Sequence, residues 1–112
     1  MSLTTNELKA HLDDGNNLTL IEALPRSHFE AEHLPGAINI PHDEVHSHID
    51  KLPQDTTDLI VTYCASSTCK NSKQAADTIR SLGYSNVVEY SGGKQAWLEA
   101  GLTFEKSKGA AS

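Results

Sequence analysis

The sequence is poor in several features that mark particular protein classes. Cysteine occurs only at Cys64 and Cys69, so we expect reactive or inert thiols rather than a disulfide framework. A zinc site would need further Cys or His ligands at short spacing, and none lies near these two. His42 and His46 are four positions apart, but we interpret them as surface residues. The sequence therefore predicts no metal and no cofactor.

Long apolar runs are also missing. No segment approaches the length of a membrane span, and the N-terminal residues lack the basic start and apolar stretch of a signal peptide. We expect a cytoplasmic protein with no membrane partner. The formal net charge of −6 argues against nucleic acid as a partner. The acidic excess lies in residues 1–56, whereas residues 57–112 hold both cysteines and slightly more basic than acidic side chains.

The order of apolar patterns predicts an α/β fold. The 112 residues suit one domain, which we place at residues 1–105, with a disordered tail at 106–112. A capping box from Thr4 to Glu7 predicts the start of a first helix. Further helices are predicted near 26–32, 45–52 and 75–82 and around Trp97, and strands at 18–21, 37–40, 59–63 and 87–88. This alternation predicts a mostly parallel sheet with helices on both faces.

Cys64 is the candidate nucleophile. It directly follows residues 59–63, the most apolar strand, and ligands in such sheets bind beyond the carboxyl ends of the strands. The polar loop after it is longer than a usual βα connection and could turn its amides inward around an anion. The predicted substrate-binding loop consists of Ala65, Ser66, Ser67, Thr68, Cys69, Lys70 and Asn71. A buried, unreactive cysteine is the alternative.

Several stretches together resemble the rhodanese-like domains, the single-domain sulfurtransferases. The matching stretches are Leu20 to Glu22, His33 to Pro41, Val61 to Cys64, Ala75 to Val87, and Gly92-Gly93 with Trp97. The resemblance implies a three-layer α/β/α fold with a central five-stranded, mostly parallel sheet. It also implies that Cys64 takes sulfane sulfur from a small donor such as thiosulfate and passes it, as a persulfide, to a thiol or protein acceptor.

The site departs from the family pattern at two places. Members of the family commonly have Cys-x-x-Gly-x-Arg-Ser after the strand, so if Ser72 is the motif's serine, the loop here is two residues longer and lacks its arginine. The usual Asp-Val-Arg is Glu22-Ala23-Leu24, which removes a second arginine. Glu22 and Ser72 are candidate supporting residues. Both losses argue against efficient use of thiosulfate, because an anionic donor favours a bidentate cation.

Two other functions fit the same loop. Cys64 and Lys70 have the Cys-x5-Arg spacing of tyrosine phosphatases and arsenate reductases, with lysine in place of arginine. Alternatively, the chain is a non-catalytic binding or redox module in which Cys64 is idle or pairs reversibly with Cys69. The sequence does not specify the oligomeric state.

Overall fold

The computed structural model describes residues 3–14, 18–66 and 69–105. Helices and strands alternate along the chain, as the apolar pattern predicted. The helices are α1 (Thr5–Asp13), α2 (Arg26–Ala31), α3 (Asn71–Ser81) and α4 (Gly93–Glu99), with a 3₁₀ helix at Val45–Lys51. The strands are β1 (Leu18–Glu22), β2 (Ile38–Asn39), β3 (Leu59–Tyr63) and β4 (Val87–Tyr90).

The strands form one parallel sheet in the order β2-β1-β3-β4. Strand β3 is central, and its register places Tyr63 beside Glu22 of β1 and Tyr90 of β4. The last residues of three strands therefore meet at one edge of the sheet. Residue 64, which follows β3, lies at that edge.

Two apolar clusters separate the three layers of this α/β/α fold. Alternate strand residues point to opposite faces, so Ile60 joins a cluster with Ile79 of α3. Its neighbour Val61 joins the other cluster, with Leu8 of α1 and Trp97 of α4. All five of these side chains are buried. Helices thus cover both faces, which confirms the predicted architecture.

The described part of the sheet has four strands rather than the expected five. His33 and Glu105 form only an isolated antiparallel bridge, with two N–H···O bonds of 2.8 Å. Leu34 donates its N–H to the Tyr63 hydroxyl at 3.1 Å, on the side away from Glu105. The next hydrogen-bonded pair would fall two residues beyond His33, at residue 35. Pro35, next along the chain, has no N–H to donate.

The helix predicted near 45–52 is a 3₁₀ helix with a kink at His48. With about three residues per turn, positions four apart no longer share a face. Val45 is consequently buried, whereas Ile49 is 45% exposed. Within the described ranges, no helix is both long enough and apolar enough to cross a bilayer. The predicted tail at 106–112 lies outside the described residues.

Candidate active site

Cys64 lies at the carboxyl edge of the sheet, directly after β3. Its side chain is 2% exposed, and its Sγ lies 3.6 Å from the hydroxyl of Ser72 in the first turn of α3. Thr62 ties that turn to the strand, because its hydroxyl donates to the Ser72 carbonyl at 3.0 Å. The structure therefore brings the predicted nucleophile and one predicted supporting residue together.

The two cysteines are joined in a disulfide, with their Cα atoms 6.3 Å apart. The expectation of reactive or inert thiols is wrong for this state of the molecule, which has the Cys64–Cys69 pair that the binding or redox module alternative named. The chain turns back between them, and the N–H of Cys69 donates to the Ser66 carbonyl at 3.1 Å. Cys64 is buried, whereas Cys69 is partly exposed. The disulfide thus joins a buried cysteine to a partly exposed one.

The N-terminus of α4 holds the start of the Cys64 loop. The N–H of Lys94 donates to the Cys64 carbonyl at 3.0 Å, and that of Gln95 donates to the Ala65 carbonyl at 2.8 Å. Gly93 has a φ of +61°, and a Cβ built there would collide with the Cys64 carbonyl. Only glycine allows this approach in this backbone conformation. The loop carbonyls therefore face α4.

Other predicted loop residues lie at the beginning of α3. Lys70 is exposed and immediately precedes that helix, and Asn71 is its first residue. Ser67 and Thr68 lie outside the described residues, so the cradle of loop amides stays a prediction.

Glu22, the second predicted supporting residue, does not contact Cys64 directly. It is fully buried, and its carboxylate accepts a hydrogen bond from the Tyr63 hydroxyl at 2.7 Å. Its other oxygen lies 2.9 Å from the ammonium of Lys94. Burial, the charge of Glu22 and this hydrogen bond raise the pKa of Tyr63 far above its ordinary value. Glu22 therefore influences the site indirectly, through its contacts with Tyr63 and Lys94.

Lys94 is the functional-site residue that the sequence reasoning missed. Its side chain is only 14% exposed, and its ammonium also donates to the His28 carbonyl at 2.9 Å. It provides the buried carboxylate of Glu22 with a cation. One signal pointed to it: Lys94 follows a Gly-Gly turn that comes just after β4, so it had to lie near the sheet edge that also carries Glu22.

Glu89 is a further acidic neighbour of the site. The Ser72 hydroxyl donates to its carboxylate at 3.3 Å. A hydroxyl has one proton, so while Ser72 donates to Glu89 it can accept from a Cys64 thiol but cannot donate to a Cys64 thiolate. In the part of the chain that the structure describes, no three His, Cys, Asp or Glu side chains form a metal site.

Known proteins resemble this chain in sequence and fold. A family model described as "Rhodanese-like domain" matches residues 4–100. "Probable adenylyltransferase/sulfurtransferase MoeZ" of Mycobacterium tuberculosis is 34% identical over 100 residues, which are 88% of this chain and 24% of that protein. The mouse "Thiosulfate sulfurtransferase/rhodanese-like domain-containing protein 3" is 29% identical over 117 residues, covering 95% of this chain and 73% of that protein.

Solved structures share the fold over most of the chain. The human single-domain sulfurtransferase TSTD1 superposes with a TM-score of 0.77 at 29% identity, covering 88% of this chain and 95% of that one. This chain therefore corresponds to about a quarter of MoeZ but to nearly all of a free-standing single domain.

Proposed function

We propose that this protein, which belongs to the rhodanese-like domain family, is a sulfurtransferase that carries sulfane sulfur as a persulfide on Cys64. The observation that supports this most is the position of Cys64, whose sulfur lies at the carboxyl edge of a parallel sheet beside the Ser72 hydroxyl. Relatives named as sulfurtransferases support the same reaction class.

The reaction needs only one nucleophilic side chain. The Cys64 thiolate attacks the sulfane sulfur of a donor, and the donor leaves with the electron pair of the bond that breaks. The transferred atom remains on Cys64 as a persulfide. A thiolate of the acceptor then attacks the outer sulfur, and the Cys64 thiolate is released. Because the thiolate is the reactive form, we propose that the protein acts in the cytoplasm, where reducing thiols keep Cys64 available.

We propose thiosulfate as a weak donor. Lys94 is already paired with Glu22, and Lys73 is paired with Asp77 on the outer side of α3 at 3.0 Å. The exposed Lys70 remains on the loop as a point charge, without the fork with which arginine holds an oxyanion. A small organic persulfide, which places less charge on the loop, is the better donor under this proposal.

Mass spectrometry of the reduced protein tests the proposal. Wild type, Cys64→Ser and Cys69→Ser are freed of reductant and incubated with thiosulfate or a small-thiol persulfide. We expect the Cys69→Ser protein to gain one cyanide-labile sulfur on the peptide that contains Cys64, and Cys64→Ser to gain none there. Circular dichroism of each variant establishes that it is folded.

The two alternative functions predict different results. If no sulfur adduct forms and the protein hydrolyses an aryl phosphate in a reaction that needs Cys64 and Lys70, the phosphatase function is correct and sulfur transfer is not. A folded Cys69→Ser protein that gains no sulfur from any donor and hydrolyses no phosphate ester would leave a binding module.

A further inference from the structure

The Cys64–Cys69 pair combines a buried cysteine with a partly exposed one. Cys64 is held by the end of β3 on one side and by the N–H of Lys94 on its carbonyl. A turn brings Cys69 back to Cys64, and the N–H of Cys69 stabilises that turn by donating to the Ser66 carbonyl. The Cα separation of 6.3 Å lies in the ordinary range for bonded cysteines. The fold therefore accommodates the bonded pair.

We propose that Cys69 is a resolving thiol that releases the sulfur carried by Cys64 as hydrosulfide; this rests on the persulfide function proposed above. The Cys69 thiolate attacks Sγ of Cys64, the inner sulfur of the persulfide. The bond between Sγ and the outer sulfur breaks, and the outer sulfur leaves as HS⁻ with the electron pair. The sulfane sulfur is reduced by two electrons, and the two cysteines are oxidised to the disulfide.

Attack by Cys69 on the inner sulfur and attack on the outer sulfur leave different products. Attack on the outer sulfur would move it to Cys69 and leave Cys64 as a thiolate, with no bond between the two Sγ atoms. Attack on the inner sulfur ends with a direct Sγ–Sγ bond, a pairing that this fold accommodates. Which sulfur is attacked depends on what the incoming thiolate can reach, and Cys69 reaches Sγ of Cys64.

The unequal burial of the two cysteines sets which of them an external thiol attacks during re-reduction. Cys64 is 2% exposed, whereas Cys69 is partly exposed, so an external thiolate attacks Cys69. Cys64 is then the leaving group and returns as the free thiolate that accepts the next sulfur. A second external thiol resolves the mixed disulfide on Cys69. Per cycle, one sulfane sulfur and two thiols become hydrogen sulfide and one disulfide, and the co-reactant is any small thiol or a protein dithiol.

Sulfide release without reductant gives a direct test. Reduced wild type, Cys69→Ser and Cys64→Ser are freed of reductant and mixed with a small-thiol persulfide while sulfide is measured with a fluorescent probe. The donor is supplied at one equivalent per chain, so it leaves behind one small thiol, whereas re-reduction of the disulfide needs two. We therefore expect wild type to release one sulfide per chain and to end as the disulfide. Cys69→Ser should retain the Cys64 persulfide and release sulfide at least about tenfold more slowly. Glutathione together with further donor should make release by wild type continuous.

The outcomes separate the two proposals. If Cys69→Ser forms the persulfide but wild type keeps it too, or carries the sulfur on Cys69, resolution by Cys69 is wrong while the sulfurtransferase function stands. If no folded variant forms a Cys64 persulfide with any donor, both proposals are wrong.

Discussion

Replacing Gly93 by alanine tests whether α4 positions the nucleophile. Gly93 has a φ of +61°, a left-handed conformation that costs an alanine about 1–2 kcal/mol. The new Cβ would also approach the Cys64 carbonyl roughly 1 Å closer than an ordinary C···O contact of about 3.3 Å. Because this obstacle is backbone, the loop has to move, and such overpacking costs about 1–3 kcal/mol more.

Gly101 offers a matched control. Its φ is +76°, and a Cβ built there meets nothing within 4 Å, so Gly101→Ala carries the backbone strain without the collision. The two variants should therefore differ by the collision alone, about 1–3 kcal/mol. A domain of about this size loses roughly 4–8 °C in Tm per kcal/mol. Thermal unfolding in reducing buffer, followed by circular dichroism, measures this difference.

The rate of persulfide formation completes the experiment. A displacement of about 1 Å at a reacting group can cost on the order of 100-fold, so we expect a loss of that size in Gly93→Ala and a near-normal rate in Gly101→Ala. Both rates are read by mass spectrometry below the Tm of each variant. Equal Tm losses and equal rates in the two proteins would refute the idea that the close approach of Gly93 positions Cys64.

Three further predictions concern the support of the site and the core. Lys94→Met leaves the buried Glu22 carboxylate without its cation, so urea unfolding should show a loss of about 3–5 kcal/mol; adding Glu22→Gln should restore part of it, and strictly additive losses would contradict the coupling. The pKa of Tyr63 is raised in the folded protein. Its contribution to the free energy of unfolding is therefore fully present below about pH 10 and decreases above that pH, because the phenol ionises in the unfolded chain. Tyr63→Phe should flatten that alkaline decline in urea titrations from pH 9 to about pH 11, and an unchanged slope would show that another group causes it. Leu8→Ala, at a fully buried position, should lower the free energy of unfolding by about 2–5 kcal/mol. Leu98→Ala, at a position 64% exposed, should lower it by less than about 0.5 kcal/mol. Similar urea midpoints for the two variants would contradict the assigned core.

Local elements were predictable because their signals lie within a few residues of one another. The capping box forms as predicted, with Thr4 and Glu7 joined by reciprocal hydrogen bonds of 2.9 and 3.1 Å. The apolar run before Cys64 is the central strand, buried at four of its five positions. Since parallel strands place their carboxyl ends at one edge, the position of Cys64 at that edge followed from the chain order alone.

Long-range partnerships were not predictable in the same way. The Gly-Gly turn after β4 indicates that Lys94 lies near the carboxyl edge of the sheet. Its ion pair with Glu22 was not predictable, because the two residues come from different elements that only the sheet order brings together. The 3₁₀ geometry at 45–51 and the single bridge between His33 and Glu105 also depend on which backbone groups already have partners elsewhere.

The sequence by itself determined the α/β order of elements, the resemblance to rhodanese-like domains and the choice of Cys64, since each rests on neighbouring residues or on chain order. Only the tertiary structure decided what surrounds that sulfur. It placed Ser72 beside Cys64, closed Cys69 onto it, and supplied the buried cation from Lys94. Side-chain contacts at a site depend on how loops fold back over the sheet edge, and this is set by the packing of the whole domain.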